Sequence, residues 1–138
     1  MVIAIISVLS GVILFSVTQY INKGKDSNIY GNMAVLVVAG EVWYDGNRNS
    51  YSGFCDPAQN SVIKNSIAQM PENQSGYCYS GNNLAGLCCA VASDNNSWAA
   101  CAREFTAPNN VYCVDSRAMK EEIPDSNCSF INTTFQCP

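Results

Sequence analysis

The chain has 138 residues, enough for one domain, with 7 Lys and Arg against 11 Asp and Glu and a net charge of −4. It contains no histidine, which excludes nucleophilic sites of the Ser-His-Asp and Cys-His kinds, so we expect no enzyme and no cofactor. The acidic balance and the lack of a basic stripe also argue against direct binding of nucleic acid.

The first segment, residues 1–21, carries no charged side chain. As a helix it would be about 31 Å long, close to the hydrocarbon thickness of a bilayer, so we predict an uncleaved membrane span. The alternative is a cleaved signal peptide, which would show basic residues before a shorter apolar core and a small-x-small cleavage site. Within the segment, Ser7 and Gly11 are small residues one turn apart, which would let a second helix pack closely.

Apolar residues then recur at three- and four-residue spacing, which indicates an amphipathic helical face. We therefore predict one long helix over residues 1–44, whose second half packs on a globular domain. The predicted parts are a membrane or filament-core half at 1–22, an amphipathic half at 23–45 and a disulfide-rich head at 46–138. The residues of the amphipathic face are Ile29, Met33, Leu36, Val37, Gly40 and Trp43.

A polar loop follows the helix and resembles a calcium loop in part. Asp45, Asn47, Asn49 and Asp56 would occupy ligand positions 1, 3, 5 and 12 of such a loop. Ser50 replaces the glycine required at position 6, and Arg48 would bring positive charge among the ligands. An ordinary loop is therefore favoured, and no metal is expected.

Beyond the loop, Asp56 is predicted as the N-cap of a second helix, with Pro57 in its first turn and Pro71 just past its end. Three strand-like runs follow at residues 87–93, 97–105 and 111–116, separated by turn-forming clusters of Asp, Asn and Pro. The fold class predicted is α+β, with the long helix packed on an antiparallel sheet of about three strands.

All eight cysteines follow the apolar segment, and none forms a C-x-x-C pair. An even count at this density is typical of disulfides in an oxidising compartment, whereas zinc is poorly supported. If residues 94–96 form a three-residue turn, Cys89 lies opposite Cys101. We therefore predict the pairs Cys89–Cys101 and Cys128–Cys137, with Cys113 competing for Cys101.

The stretch VIAIISVL at residues 2–9 resembles the middle of the type IV prepilin signature, whose usual form is FTLIELLVVIAIIGIL. The long helix, the NSYSGFC loop at 49–55 and YCVDS at 112–116 are similar to the same features of bacterial type IV pilin-like proteins. The resemblance implies a structural subunit of a pilus or pseudopilus that assembles through its apolar helix. It also implies an inner-membrane anchor with an extracytoplasmic head, then a cell-surface filament, with other pilin subunits, the lipid bilayer and the pilus assembly machinery as partners.

The chain enters that signature after the family's basic leader, cleavage site and glutamate. Lys23 and Lys25 also follow the apolar segment, which conflicts with the positive-inside rule if the head is outside. Both observations lead us to expect an in-frame extension upstream of Met1. Two other functions remain open: a membrane-anchored extracytoplasmic binding domain that does not polymerise, and a secreted enzyme with a signal peptide.

Overall fold

The structure is a computed structural model that describes residues 2–71, 82–84, 86–128 and 135–138. A long helix and a short one precede an antiparallel sheet, and a single helical turn follows it. The elements are α1 (Val2–Gly46), α2 (Ser61–Gln69), β1 (Asn82–Leu84), β2 (Leu87–Val91), β3 (Trp98–Arg103), β4 (Asn110–Asp115), β5 (Lys120–Pro124) and α3 (Asp125–Cys128).

Helix α1 is continuous over 45 residues, about 68 Å, which confirms the predicted single helix. Its second half packs on the sheet through the predicted apolar face, where Ile29, Met33 and Leu36 are buried. Within the described residues, no helix combines the length and the hydropathy that a bilayer crossing requires.

The sheet has five strands in the order β1-β2-β3-β4-β5, each antiparallel to its neighbour. The three predicted strands are present as β2, β3 and β4, and the prediction of about three strands missed the two edges. Strand β1 has only three residues, and β5 begins Lys-Glu-Glu, so neither shows the apolar alternation by which a strand is recognised.

The register between β2 and β3 differs by one residue from the prediction. Cys88, not Cys89, lies opposite Cys101, and Val91 pairs with Trp98. Four residues, 93–96, connect the strands instead of three, and the Ala92 amide donates to the Ser97 carbonyl. Because side chains alternate across a sheet, this slip places Cys89 and Cys101 on opposite faces, and the predicted Cys89–Cys101 disulfide is wrong.

Each face of the sheet has its own core. The inner face packs against α1 and α2 through Leu87, Trp98, Ala102 and Val114. On the outer face, strand residues form a second buried cluster with two C-terminal cysteines. Its members are Ala90, Ala99, Cys101, Val111, Cys113, Ile123, Cys128 and Cys137.

Disulfides fasten both cores. Cys55–Cys89 joins the loop after α1 to the inner face, whereas Cys101–Cys128 and Cys113–Cys137 fasten the C-terminal segment over the outer face. The predicted Cys128–Cys137 pair is therefore wrong as well, although all four predicted cysteines are disulfide-bonded. Cys128 lies over β3 and Cys137 over β4, so each is bonded to a strand cysteine and not to the other.

Helix α2 begins later than predicted. Its N-cap is Asn60, whose Oδ1 accepts from the Val62 amide at 2.9 Å while its Nδ2 donates to the Phe54 carbonyl at 2.8 Å. Asp56 instead closes a separate turn, in which its carboxylate accepts from the Ala58 amide and from Gln59 Nε2. These local hydrogen bonds compete with the helix, which is why the predicted N-cap at Asp56 is wrong. The predicted end before Pro71 is confirmed by the C-cap at Met70.

Candidate assembly surface

The first half of α1 exposes apolar side chains in every direction. Each described side chain between residues 3 and 21 is exposed, and Ile3 retains 81% of its surface. Contiguous exposed apolar surfaces of this extent are typical of sites that contact another protein or a membrane. The large apolar side chains exposed there are Ile3, Ile6, Val8, Val12, Ile13, Leu14, Val17, Tyr20 and Ile21.

The predicted helix-packing residues lie on this surface. The Ser7 hydroxyl donates to the Ile3 carbonyl at 2.8 Å, so its polarity is satisfied within its own helix. A Cβ added at Gly11 would meet nothing within 4 Å. The backbone is thus open to close approach at this point, and packing by a second helix there stays a prediction.

An apolar groove continues the exposed surface onto the second half of α1. Val35, Val38 and Val42 recur at three- and four-residue spacing on the side of α1 that faces away from the sheet, and each is more than half exposed. Together with Val62 of α2 and Lys120 of β5 they line a groove of about 630 Å³. The helix therefore offers apolar surface both toward its own domain and away from it.

Small residues connect the groove to the first half of α1. Gly24 and Gly31 lie seven residues apart on the outward side, and a Cβ at either would meet nothing within 4 Å. The outward side consequently has no bulky polar side chain at these two positions. A helix from another molecule could approach the backbone of α1 closely at these two positions.

Polar contacts on the inward side determine which face of α1 is left exposed. The Asp26 carboxylate accepts from the backbone amides of Phe105 and Thr106 at 2.6 and 3.0 Å. At the other end, Trp43 Nε1 donates to the Ser52 carbonyl at 3.1 Å. These contacts at both ends of the packed half of α1 fix the rotation of the helix about its own axis. They therefore determine that the valine side, the side bearing Val35, Val38 and Val42, faces away from the sheet.

Tyr51, which contacts the C-terminal end of α1, has a raised pKa. Burial, with a hydrogen bond to Glu41 as the second cause, raises the pKa of Tyr51 to about 12. The phenol therefore stays protonated at physiological pH and donates to Glu41 Oε1 at 3.1 Å. This contact stabilises the junction between α1 and the following loop.

Two of the four predicted calcium-loop residues, Asn47 and Asp56, make local side-chain hydrogen bonds. Asn47 Nδ2 donates to the carbonyls of Ser50 and Ser52, and the Asp56 carboxylate closes its own turn. Those bonds with Ala58 and Gln59 also lower the pKa of Asp56, with the Gln59 side chain as the largest cause. Asp45 and Asn49 are exposed at the end of α1. The arrangement is that of a self-contained polar loop.

A different group of possible metal ligands lies on the outer face of the sheet. The sulfur atoms of Cys88, Cys101 and Cys128 are within 4.8 Å of one another. All three residues are disulfide-bonded, so they offer no thiolate for a metal. The cluster contributes cross-links to the outer core.

Sequence reasoning recognised the apolar first half of α1 but missed the groove. Its signal was present as Val35, Val38 and Val42, which follow a second helical stripe beside the inward one. Comparisons of the chain with protein-family models, curated proteins and solved structures found no match.

Proposed function

We propose that the chain is a structural subunit that assembles through α1 into a filament of the type IV pilus or pseudopilus kind. The observation that carries the proposal is the exposure of every described side chain from residue 3 to residue 21. Burying that apolar surface against copies of the same helix would remove it from water at about 25 cal/mol for each Å². The resemblance of residues 2–9 to the prepilin signature supports the same conclusion.

The proposed contact between subunits continues along the valine side of α1, next to the head. In the assembled state, Val35, Val38 and Val42 would contact a helix of a neighbouring subunit instead of water. The small residues Ser7 and Gly11 would allow helix axes to approach closely in the core of the filament.

The disulfides support an extracytoplasmic location for the head. Disulfides persist in oxidising compartments and are rare in the cytosol, and three of them cross-link the described part of this domain. We further propose that, before assembly, the uncharged segment at residues 1–21 holds the subunit in the inner membrane. That part of the proposal rests on the sequence of the segment.

Cross-linking tests the proposal. Cells that produce the full chain are treated with a lysine-reactive cross-linker, and the products are separated by size. Subunits packed side by side should give a ladder of dimer, trimer and higher species. A monomer band alone would favour the membrane-anchored binding domain and would overturn the filament proposal.

A charged substitution on the valine side sharpens the test. Val38→Asp should shorten or abolish the ladder, because it would place a carboxylate inside the proposed apolar contact. Ser93→Asp adds the same charge at an exposed position between β2 and β3 and should leave the ladder unchanged. Since Val38 is 66% exposed, its replacement should not unfold the head.

A further inference from the structure

Three ionisable side chains from distant parts of the chain meet where α1 crosses the sheet. Tyr30 Oη lies 2.8 Å from Glu104 Oε1 and 3.1 Å from Glu122 Oε1. Tyr30 belongs to α1, Glu104 follows β3 directly, and Glu122 belongs to β5. Glu104 is only 2% exposed, so one carboxyl of the cluster is shielded from water and the other is not.

The number of hydrogens in this cluster does not match the number of short contacts. A tyrosine hydroxyl has one hydrogen, and an ionised carboxylate has none to donate. If both glutamates were ionised, only one of the two oxygen–oxygen contacts could contain a hydrogen. In the other contact, a carboxylate oxygen would face a lone pair of the hydroxyl oxygen, and the two oxygens would repel each other. Both contacts are satisfied only if one carboxyl is protonated and donates to, or shares its hydrogen with, Tyr30.

The surroundings favour that added proton. Asp26 on α1 faces the cluster with a second buried carboxyl, and Tyr112 on β4 stacks on Tyr30 with 4.4 Å between ring centroids. The cations nearest in the chain are Lys25 on α1, whose Nζ lies over the Phe105 ring, and Lys120, two residues before Glu122 on β5. In the described part of the chain, the ion pairs are Arg103–Asp125 and Arg117–Asp115, so no cation lies within 4 Å of either glutamate.

The acidities agree with the geometry. Burial is the largest cause and raises the pKa of Glu104. The Tyr30 hydrogen bond, the second cause, lowers it, and the charges of Glu122 and Asp26 raise it further, so the net direction is upward. The pKa of Tyr30 is also raised, by burial first and then by its hydrogen bonds to Glu104 and Glu122. The pKa of Tyr112 is raised by burial and then by the charges of the same two glutamates. Burial is the largest cause of all three shifts, and the negative charges of the neighbouring carboxylates add to each of them.

We propose that Tyr30, Glu104 and Glu122 form a proton-binding site that is complete only with one proton added between the two carboxyls. With that proton, the cluster ties α1 to β3 and β5 through two hydrogen bonds. When the proton leaves, one contact becomes repulsive, and the exposed Glu122 side chain turns away into water. The site would make the attachment of α1 to the sheet sensitive to pH, independently of whether the chain forms filaments.

The direction of the pH effect follows from the raised pKa. A carboxyl with a higher pKa in the folded chain than in the unfolded chain binds its proton more tightly when folded. Its contribution is fully present below the unfolded pKa and is lost as the pH rises through the folded pKa. If the folded pKa exceeds the unfolded pKa by one unit, the folding equilibrium constant is about tenfold smaller above both pKa values than below them.

Denaturant unfolding of the full chain from pH 4 to pH 8 tests the proposal. Glu104→Gln imitates the protonated acid, because its amide can donate to Tyr30, and should remove the loss of stability that the wild-type chain shows with rising pH. Glu41→Gln is the matched control: Glu41 also accepts from a tyrosine, Tyr51, and among the described residues no second carboxyl contacts that hydroxyl. It should keep the wild-type pH dependence.

Carbon-13 NMR of the glutamate carboxyls supplies a direct second measurement. We expect Glu104 to titrate above the ordinary range for glutamate, and Tyr30→Phe to change that titration. Titration of Glu104 in the ordinary range, unaffected by Tyr30→Phe, would overturn the proposal. So would a Glu104→Gln chain that folds and keeps the wild-type pH dependence.

Discussion

At the scale of single residues, a close approach of α1 to the sheet depends on Gly40. A Cβ at this position would lie 2.7 Å from Trp98 Nε1 and 2.9 Å from two ring carbons. Trp98 is fully buried, with its ring 4.6 Å from that of Phe54, and so has no room to move aside. The missing side chain lets the helix backbone lie directly on the indole.

We therefore expect Gly40→Ala to destabilise the fold by about 1–3 kcal/mol, the usual cost of overpacking a filled core. Gly31→Ala is the control, because a Cβ there would meet nothing within 4 Å. At that exposed helical position alanine should be neutral or stabilising by up to about 1 kcal/mol. Urea unfolding followed by tryptophan fluorescence measures both. Equal stabilities of the two variants would refute the importance of the contact with Trp98.

At the scale of elements, disulfides and a hydrogen bond attach the C-terminal cysteines to the outer face of the sheet. Cys101 and Cys113 lie opposite each other on β3 and β4, yet each is bonded to a cysteine of the tail. Directly opposite Cβ atoms are about 4.5–5.5 Å apart, longer than the spacing of about 3.8 Å usual in a disulfide. Buried Asp115 adds to the attachment by accepting from the Cys137 amide at 3.0 Å.

Peptide mapping without reduction should recover the links Cys55–Cys89, Cys101–Cys128 and Cys113–Cys137. A peptide pair joining Cys101 to Cys113 would contradict the arrangement. Replacing both Cys113 and Cys137 by alanine should lower stability by about 2–5 kcal/mol, as is usual when a native disulfide is removed from a small domain.

At the scale of the whole molecule, α1 is both a structural element of the head and a free apolar rod. Its buried contacts begin at Asp26, whose carboxylate binds the backbone after β3. All described side chains from residue 3 to residue 21 are exposed. The transition from free helix to packed helix therefore occurs within about one turn.

Deleting residues 1–24 should accordingly leave a folded head with an unchanged urea midpoint and no tendency to associate. Deleting residues 1–27 should lower the midpoint, because it also removes Asp26 and its hydrogen bonds to Phe105 and Thr106. Membrane fractionation and sedimentation of the shorter deletion measure the role of the segment. If the 1–24 deletion still sedimented with membranes, the proposed anchor would be wrong.

The sequence by itself determined the elements that depend on local pattern. Three- and four-residue spacing of apolar side chains predicted α1 and its buried face, and turn-forming clusters separated β2, β3 and β4. The apolar first half of α1, which carries the proposed function, was equally visible. These features depend on which residues are neighbours along a helix or a strand, and that information is present in any short stretch of sequence.

Only the tertiary structure decided the features that join distant residues. One extra residue in the turn after β2 moved Cys89 to the inner face, and no local pattern distinguishes a three-residue turn from a four-residue one there. The tyrosine–glutamate cluster joins side chains 74 and 92 residues apart, which share no spacing rule. Which side of α1 the sheet covers was also decided by the tertiary structure. The helix carries two apolar stripes, and the pattern alone does not show that the stripe with Ile29, Met33 and Leu36 is buried while the one with Val38 is exposed.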